Sequence, residues 1–419
     1  MNVLEKAAEY KTIRLDNGLV ILLHEMPEFS GVHAIFATNF GSIDREFTLN
    51  GKHYELPAGV AHFLEHKMFE NEDGDAFEKY AKTGANANAY TGFDKTSYIF
   101  QTTDNVDESM DILLNFVTNP YFTEQTVKKE QGIIGQEIGM YDDAPDWRMM
   151  FALLECLYSK HPIRDDIAGS VESISKITPE LLYACTDAFY RTDNMVLSVA
   201  GNITEERVLS ACKRANIKAK SGDVTKGECK ESTEVNEKSR EIKMSVSRPI
   251  LGIGFKEIPS EKDICKQDML CDVLNELIVG EMTPLYRKLY DEGLIDDSFG
   301  GEYLSLKGAL CFMFSGETCQ PEKVRELLLA EISRLRTEGV DEEIFTLCKN
   351  MLYGVLVANL ENADDFAVGM VSSYFKGYTL ASEIETLAAI TLDEINDLLQ
   401  RVMCEKRSAT VIIKPLEEN

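Results

Sequence analysis

A chain of 419 residues with 44% hydrophobic and 27% charged side chains is too long for one ordinary core and too apolar for disorder, so two globular domains are expected. The formal charge of -28 argues against general binding of nucleic acid, whose phosphates most of the surface would repel, and would attract a basic peptide. Ten cysteines scattered from Cys156 to Cys404 without a C-x-x-C pair fit neither zinc ribbons nor redox dithiols, and read as buried thiols of a reducing compartment.

From the amino terminus, Met1 to Arg14 mixes Glu5, Lys6, Glu9 and Lys11 with single apolar residues and so lacks the core of a secretory signal. No later run is long and apolar enough to span a membrane, and a soluble cytoplasmic protein is expected. Ile13 to His24 and Val32 to Asn39 alternate like paired strands. PAGVAHFLEHKMFE, from Pro57 to Glu70, reads as a helix, and Gly84 to Phe100 as two short strands around a turn at Gly92 to Lys95. Thr123 to Met140 has the spacing of a long helix opened by Thr123. DNMVLSVAGN at Asp193 to Asn202 is an apolar strand, and ITEERVLSACKR behind it is helical.

Lys218 to Lys243 is nearly free of large apolar residues and marks a polar linker. Beyond it, Pro249 to Phe255 reads as a strand, Lys262 to Val279 and EINDLLQRVM as helices, and SATVIIKP as a closing strand stopped by Pro415. The expected fold is therefore α+β, with two similar domains at 1–217 and 244–419 joined by 218–243, each a mainly antiparallel sheet packed with helices.

The chemistry concentrates in the first half. His62, Glu65 and His66 form H-x-x-E-H on a predicted helix, and two histidines four apart lie on one face, where their ring nitrogens reach a single ion. Glu65 projects beside them as a general base for a zinc-polarised water. The order inverts H-E-x-x-H and is the inverzincin signature. Only six histidines exist in the chain, which makes two in this segment notable. A catalytic zinc needs a further protein ligand, and EQTVKKEQGIIGQEIGMYDD offers Glu130 and Glu137 two helical turns apart on one face. One of them can bind the metal while the other supports a histidine through its second ring nitrogen.

In this order the motifs AHFLEHKMFE, ANANAYTGFDKTSY, EQGIIGQEI, HPIRDDIAGSVESI and DNMVLSVAGNI resemble the pitrilysin, insulinase and mitochondrial processing peptidase group of zinc peptidases. The resemblance implies a processing-peptidase-like half-clamshell with Zn2+ as cofactor. It makes His62, His66 and Glu137 the ligands, Glu65 the base and Glu130 the supporting carboxylate. Asn88 and Ala89 match the sheet edge that holds an extended peptide by strand addition. Active members carry an Arg and a Tyr in the second half; Arg287 and Tyr303 are present here without that spacing, and no histidine follows His161. Single-chain members enclose a chamber with more domains than the two read here, so a homologous metal-free partner subunit is expected, a homodimer being the other arrangement. The expected function is a zinc endopeptidase subunit acting on peptides or unfolded segments. The alternative is a non-catalytic peptide-binding scaffold or maturation factor of the same fold.

Overall fold

The computed structural model describes residues 7–72, 74–220, 222–259 and 262–416. They fall into two compact units, neither of them a continuous stretch of chain. The first comprises Met1–Ile138, Asp166–Glu228 and Val357–Ala381; the second comprises Gly139–Asp165, Cys229–Leu356 and Ser382–Asn419. The contiguous division at 1–217 and 244–419 expected from sequence therefore differs from the structure, in which each half of the chain sends one helical segment into the other half's unit.

In the first unit six strands form one sheet in the order Lys11–Arg14, Val20–Glu25, Met195–Gly201, Val32–Thr38, Thr96–Thr102, Asn86–Thr91. Only the pairing of Val20–Glu25 with Met195–Gly201 is parallel. Every residue of VHAIFAT and MVLSVAG is buried, as continuous apolar runs require when a strand is covered on both faces. That need also corrects the pairing expected for Ile13–His24 and Val32–Asn39. The first of these folds back on itself as two antiparallel strands, and the apolar 195–201 strand lies between it and Val32–Thr38.

Strand periodicity sorts the helices between the two faces of this sheet. Ser198 Oγ donates to the Ala367 carbonyl at 2.9 Å and His33 Nδ1 lies 2.8 Å from Asp364 Oδ1, so helix Ala363–Lys376 covers one face. Phe36 and its cross-strand partner Tyr98 point the other way. There the Tyr98 ring meets Phe116 of helix Val106–Thr118 and Phe69 of helix Val60–Phe69, with centroids 5.6 and 5.9 Å away.

The second unit carries a five-stranded sheet in the order Ser239–Met244, Ser408–Pro415, Ile250–Glu257, Ala309–Glu317, Gly300–Leu306. Its connectivity repeats that of the first. In both, the last strand in sequence inserts beside an early strand in parallel and beside the next one antiparallel, and a hairpin closes the far edge. Helix Pro145–Leu157 packs onto Ile250–Glu257 because that strand reads G-I-G at its centre. A Cβ on Gly252 would lie 2.3 Å from Met149 Sδ, and one on Gly254 2.8 Å from Leu157 Cδ1. Bare backbone is what allows the close approach.

A buried ion pair fastens the same segment. Lys256, 1% exposed, donates from Nζ to Leu157 O at 2.7 Å, Glu234 O at 3.0 Å and Glu231 Oε1 at 3.1 Å. Glu231 also accepts from the backbone N–H groups of Lys160 and His161, each at 2.7 Å, and from Ser159 Oγ at 2.9 Å. Burial raises the Glu231 pKa, but these donors outweigh it and hold the carboxyl down at about 2.

The polar linker expected at Lys218–Lys243 is partly sheet. Val224–Lys226 pairs with Glu46–Leu49, and Ser239–Met244 pairs with Ser408–Pro415 in alternating exposure. Strands wet on one face carry too few apolar residues to announce themselves. Among the described residues no helix is long and apolar enough to cross a membrane.

Removing one member of a buried pair strands the other, so Glu231→Ala should cost about 3–5 kcal/mol of stability, read by chemical denaturation. The depressed carboxyl pKa also fixes the sign of the acid dependence. Its contribution is complete above the ordinary glutamate value of 4.5 and is lost as pH falls toward about 2. Glu231→Gln should remove that part of the acid transition.

Candidate metal centre

The H-x-x-E-H helix, Val60–Phe69, is buried on nearly every side: of its residues only His66 is not fully buried. Apart from His62, Glu65, His66 and Lys67 its residues are apolar, as that position requires. It begins after Gly59, whose φ of 87° and close approach to Ala168 O, 2.3 Å from where a Cβ would sit, leave room for glycine alone. At the other end Phe69 stacks on Phe77 and Phe116, with centroids 4.2 and 4.9 Å apart. Both ends being fixed, the faces presented by His62, Glu65 and His66 are fixed too.

Helix Glu124–Asp142 buries Val127, Glu130, Ile134 and Ile138 along one stripe. Glu130 and Glu137, two turns apart, meet the first helix at different atoms. Glu137 Oε1 lies 3.6 Å from His62 Nε2 and its Oε2 3.4 Å from His66 Nε2. Glu130 Oε1 lies 3.1 Å from His66 Nδ1. The two imidazole centroids are 4.6 Å apart with planes at 61°. Donor atoms of His62, His66 and Glu137 all fall within 4.8 Å of one another.

Ligands about 2.1 Å from a tetrahedral zinc are about 3.4 Å apart, close to the separations seen here. Among the described residues two imidazoles and one carboxylate converge without a fourth protein donor, the donor set that an open zinc site requires. The residues fit that ion. Glu130, accepting a hydrogen bond from His66 Nδ1, leaves Nε2 as the ring nitrogen open to an ion. His62 Nδ1 is buried and has no hydrogen-bond partner among the described residues.

Without the ion, the two histidines are pulled apart in acidity. Burial and the neighbouring His66 charge push the His62 pKa down to about 4, against the attraction of Glu137 and Glu130. Burial also disfavours charge on His66, but the hydrogen bond it donates to Glu130 and the charges of Glu65 and Glu137 outweigh it, and its pKa is raised. Glu65, 7% exposed, is raised by burial despite the hydrogen bond it accepts on Oε2 from Thr91 Oγ1 at 2.7 Å.

Asn88 and Ala89 lie on strand Asn86–Thr91, at the free edge of the first sheet, which packs against the H-x-x-E-H helix. Asn88 is exposed, and its Oδ1 accepts the Ala89 N–H at 2.9 Å. Arg287 and Tyr303 both belong to the second unit. Arg287 is exposed on helix Pro284–Asp291, and the Tyr303 hydroxyl donates to the Asp268 carbonyl at 3.2 Å. Thr91 is the residue that sequence reading passed over. Its signal was the strand period, which puts Thr91 on the same side as Ala89, the side that Tyr98 turns toward Phe69.

Residues 50–170 match the family model for insulinase (peptidase family M16), and residues 176–352 match that for the peptidase M16 inactive domain. A Bacillus subtilis protein named as an uncharacterized zinc protease, YmfH, is 36% identical over 410 residues, covering 96% of each chain. The crystal structure of a putative M16-like peptidase from Alicyclobacillus acidocaldarius, 33% identical, superposes with a TM-score of 0.94 over 97% of this chain and 98% of that one. A protease from Helicobacter pylori has the same fold at 17% identity, with a TM-score of 0.85 over 97% of this chain and 100% of that one. A Schizosaccharomyces pombe protein named as a probable mitochondrial-processing peptidase subunit beta is 29% identical over 209 residues, 49% of this chain and 44% of its own.

In metal-stripped protein, side-chain NMR should show one histidine of the pair titrating near pH 4 and the other above its ordinary 6.5. Glu130→Gln should bring the upper one down, since it removes the charge that holds the proton on His66.

Proposed function

The chain belongs to the insulinase family, peptidase family M16, and we propose that within it this protein is a zinc-dependent endopeptidase subunit cleaving peptides or unfolded segments. The observation that carries the proposal is the convergence of His62, His66 and Glu137 on one point with Glu65 one helical turn from His62. His62, His66 and Glu137 would hold zinc, which when bound lowers the pKa of a water molecule to about 7 and polarises the peptide carbonyl. Glu65 takes the proton from the attacking water and delivers it to the leaving amine, so that the peptide C–N bond breaks with no net proton change on the enzyme. Its burial and raised pKa suit both halves of that task. Glu130 keeps His66 in the tautomer that offers Nε2.

The substrate joins the sheet at Asn86–Thr91. An edge strand offers backbone hydrogen bonds irrespective of sequence, and the Ala89 N–H, held by Asn88 Oδ1, passes to the incoming peptide. A negative surface favours basic segments. We further propose a homologous partner subunit without the metal site, with a homodimer as the other arrangement. The engaged Tyr303 hydroxyl and the subunit named among the relatives support it. A reducing, cytoplasmic setting belongs to the same proposal and rests on the ten thiols of the sequence.

The second reading, a peptide-binding scaffold, is favoured by the match of residues 176–352 to an inactive domain, and disfavoured by an intact donor set and base in the first unit. Elemental analysis and peptide cleavage distinguish them. About one zinc per chain is expected, and Glu65→Gln should keep the zinc while cleavage falls by about 10²–10⁴; undiminished cleavage in that variant rejects the mechanism. Glu130→Gln should weaken zinc binding by about 10–100-fold in a chelator competition.

A further inference from the structure

The hydrogen bond between Thr91 and Glu65 joins the sheet edge to the carboxylate of the metal centre. Thr91 closes strand Asn86–Thr91 and faces Thr96 across the hairpin. A hydroxyl has one proton to give, and here the network decides where each goes. Thr96 Oγ1 lies 2.9 Å from the Phe40 carbonyl, which can only accept, so its proton is committed there. Thr96 is then only an acceptor at 3.5 Å from Thr91 Oγ1, whereas Glu65 Oε2 lies at 2.7 Å. The Thr91 proton goes to Glu65. The donor chain Thr91 to Glu65 and Thr96 to Phe40 is built on buried or half-buried groups, and Glu65 Oε1 takes no hydrogen bond from the described residues.

We infer that Thr91 is a positioning residue for the general base: by occupying Oε2 it fixes the Glu65 carboxylate plane and leaves Oε1 as the oxygen that handles the proton. The inference rests on the peptidase reading above. Glutamate has three rotatable side-chain bonds and a broad terminal torsion, so a buried glutamate on a helix does not by itself present one oxygen in one direction. A single strong, charge-assisted donor on the other oxygen does. Because Thr91 is on the strand whose edge carries Asn88 and Ala89, the same backbone element that receives the peptide also sets the orientation of the base. Displacing that strand moves both together.

The test uses the zinc-loaded protein in its native assembly, with a cleavable peptide. Thr91→Val keeps the shape and removes the donor; Thr91→Ser restores it. A misplacement on the ångström scale costs about 10²-fold. Thr91→Val should therefore lower kcat by about 10–100-fold with KM and zinc content unchanged, and Thr91→Ser should return to within about threefold of the parent. A crystal structure of zinc-loaded Thr91→Val should show the Glu65 carboxylate rotated from its parent orientation, a readout independent of turnover. Parent-like kcat in Thr91→Val alongside an inert Glu65→Gln, or an unmoved Glu65 in the crystal, overturns the inference. Cleavage that survives Glu65→Gln overturns instead the reading on which it rests, and the crystal comparison still decides the role of Thr91.

Discussion

Three side chains from two helices far apart in sequence must bring their donor atoms to one point, and the rest of the first unit is arranged around that demand. His62 and His66 satisfy it through helical geometry alone, because four residues return the chain to the same face. Glu137 satisfies it only if helix Glu124–Asp142 lies in one register beside helix Val60–Phe69. The buried stripe Val127, Glu130, Ile134 and Ile138 sets that register, and Glu130 is both part of the stripe and the partner of His66 Nδ1. Packing and chemistry are thus specified by the same residue.

The electrostatics follow from where the first helix lies. Burial disfavours charge on His62, His66 and Glu65 alike, yet only His66 ends with a raised histidine pKa, because only it has a carboxylate hydrogen-bonded to its ring. The imidazole that resists protonation, His62, keeps its ring nitrogens available as donors to a cation. The neighbouring strand Asn86–Thr91 adds the second half of the arrangement, an exposed sheet edge on one margin and a hydroxyl turned inward to Glu65.

Much of this was legible in the residues. Spacing marked the H-x-x-E-H helix and the two-turn separation of Glu130 and Glu137, and β-branched runs marked SATVIIKP and DNMVLSVAGN as strands, which fold as Ser408–Pro415 and Met195–Gly201. Four things were not legible, each for a physical reason. The 195–201 strand lies between strands that looked like mutual partners, since periodicity reports burial and not neighbours. SREIKM in the supposed linker pairs through its backbone, to which composition is blind. Thr91 was overlooked because a threonine at a strand end is ordinary, and only the facing helix gives its hydroxyl a task. The segment swap between units was hidden for the same reason as strand order: an amphipathic helix shows that it packs, not on what.

That swap bears on how the molecule can be taken apart. Helix Pro145–Leu157 lies on the G-I-G strand of the second unit although it follows the Glu137 helix directly, and helix Ala363–Lys376 lies on the first sheet although it comes from deep in the C-terminal half. A gene cut between Glu228 and Cys229 would therefore yield two polypeptides that each lack a core helix and carry one belonging to the other. Neither half would carry the complete core of either unit, so an excised half is not a self-sufficient domain.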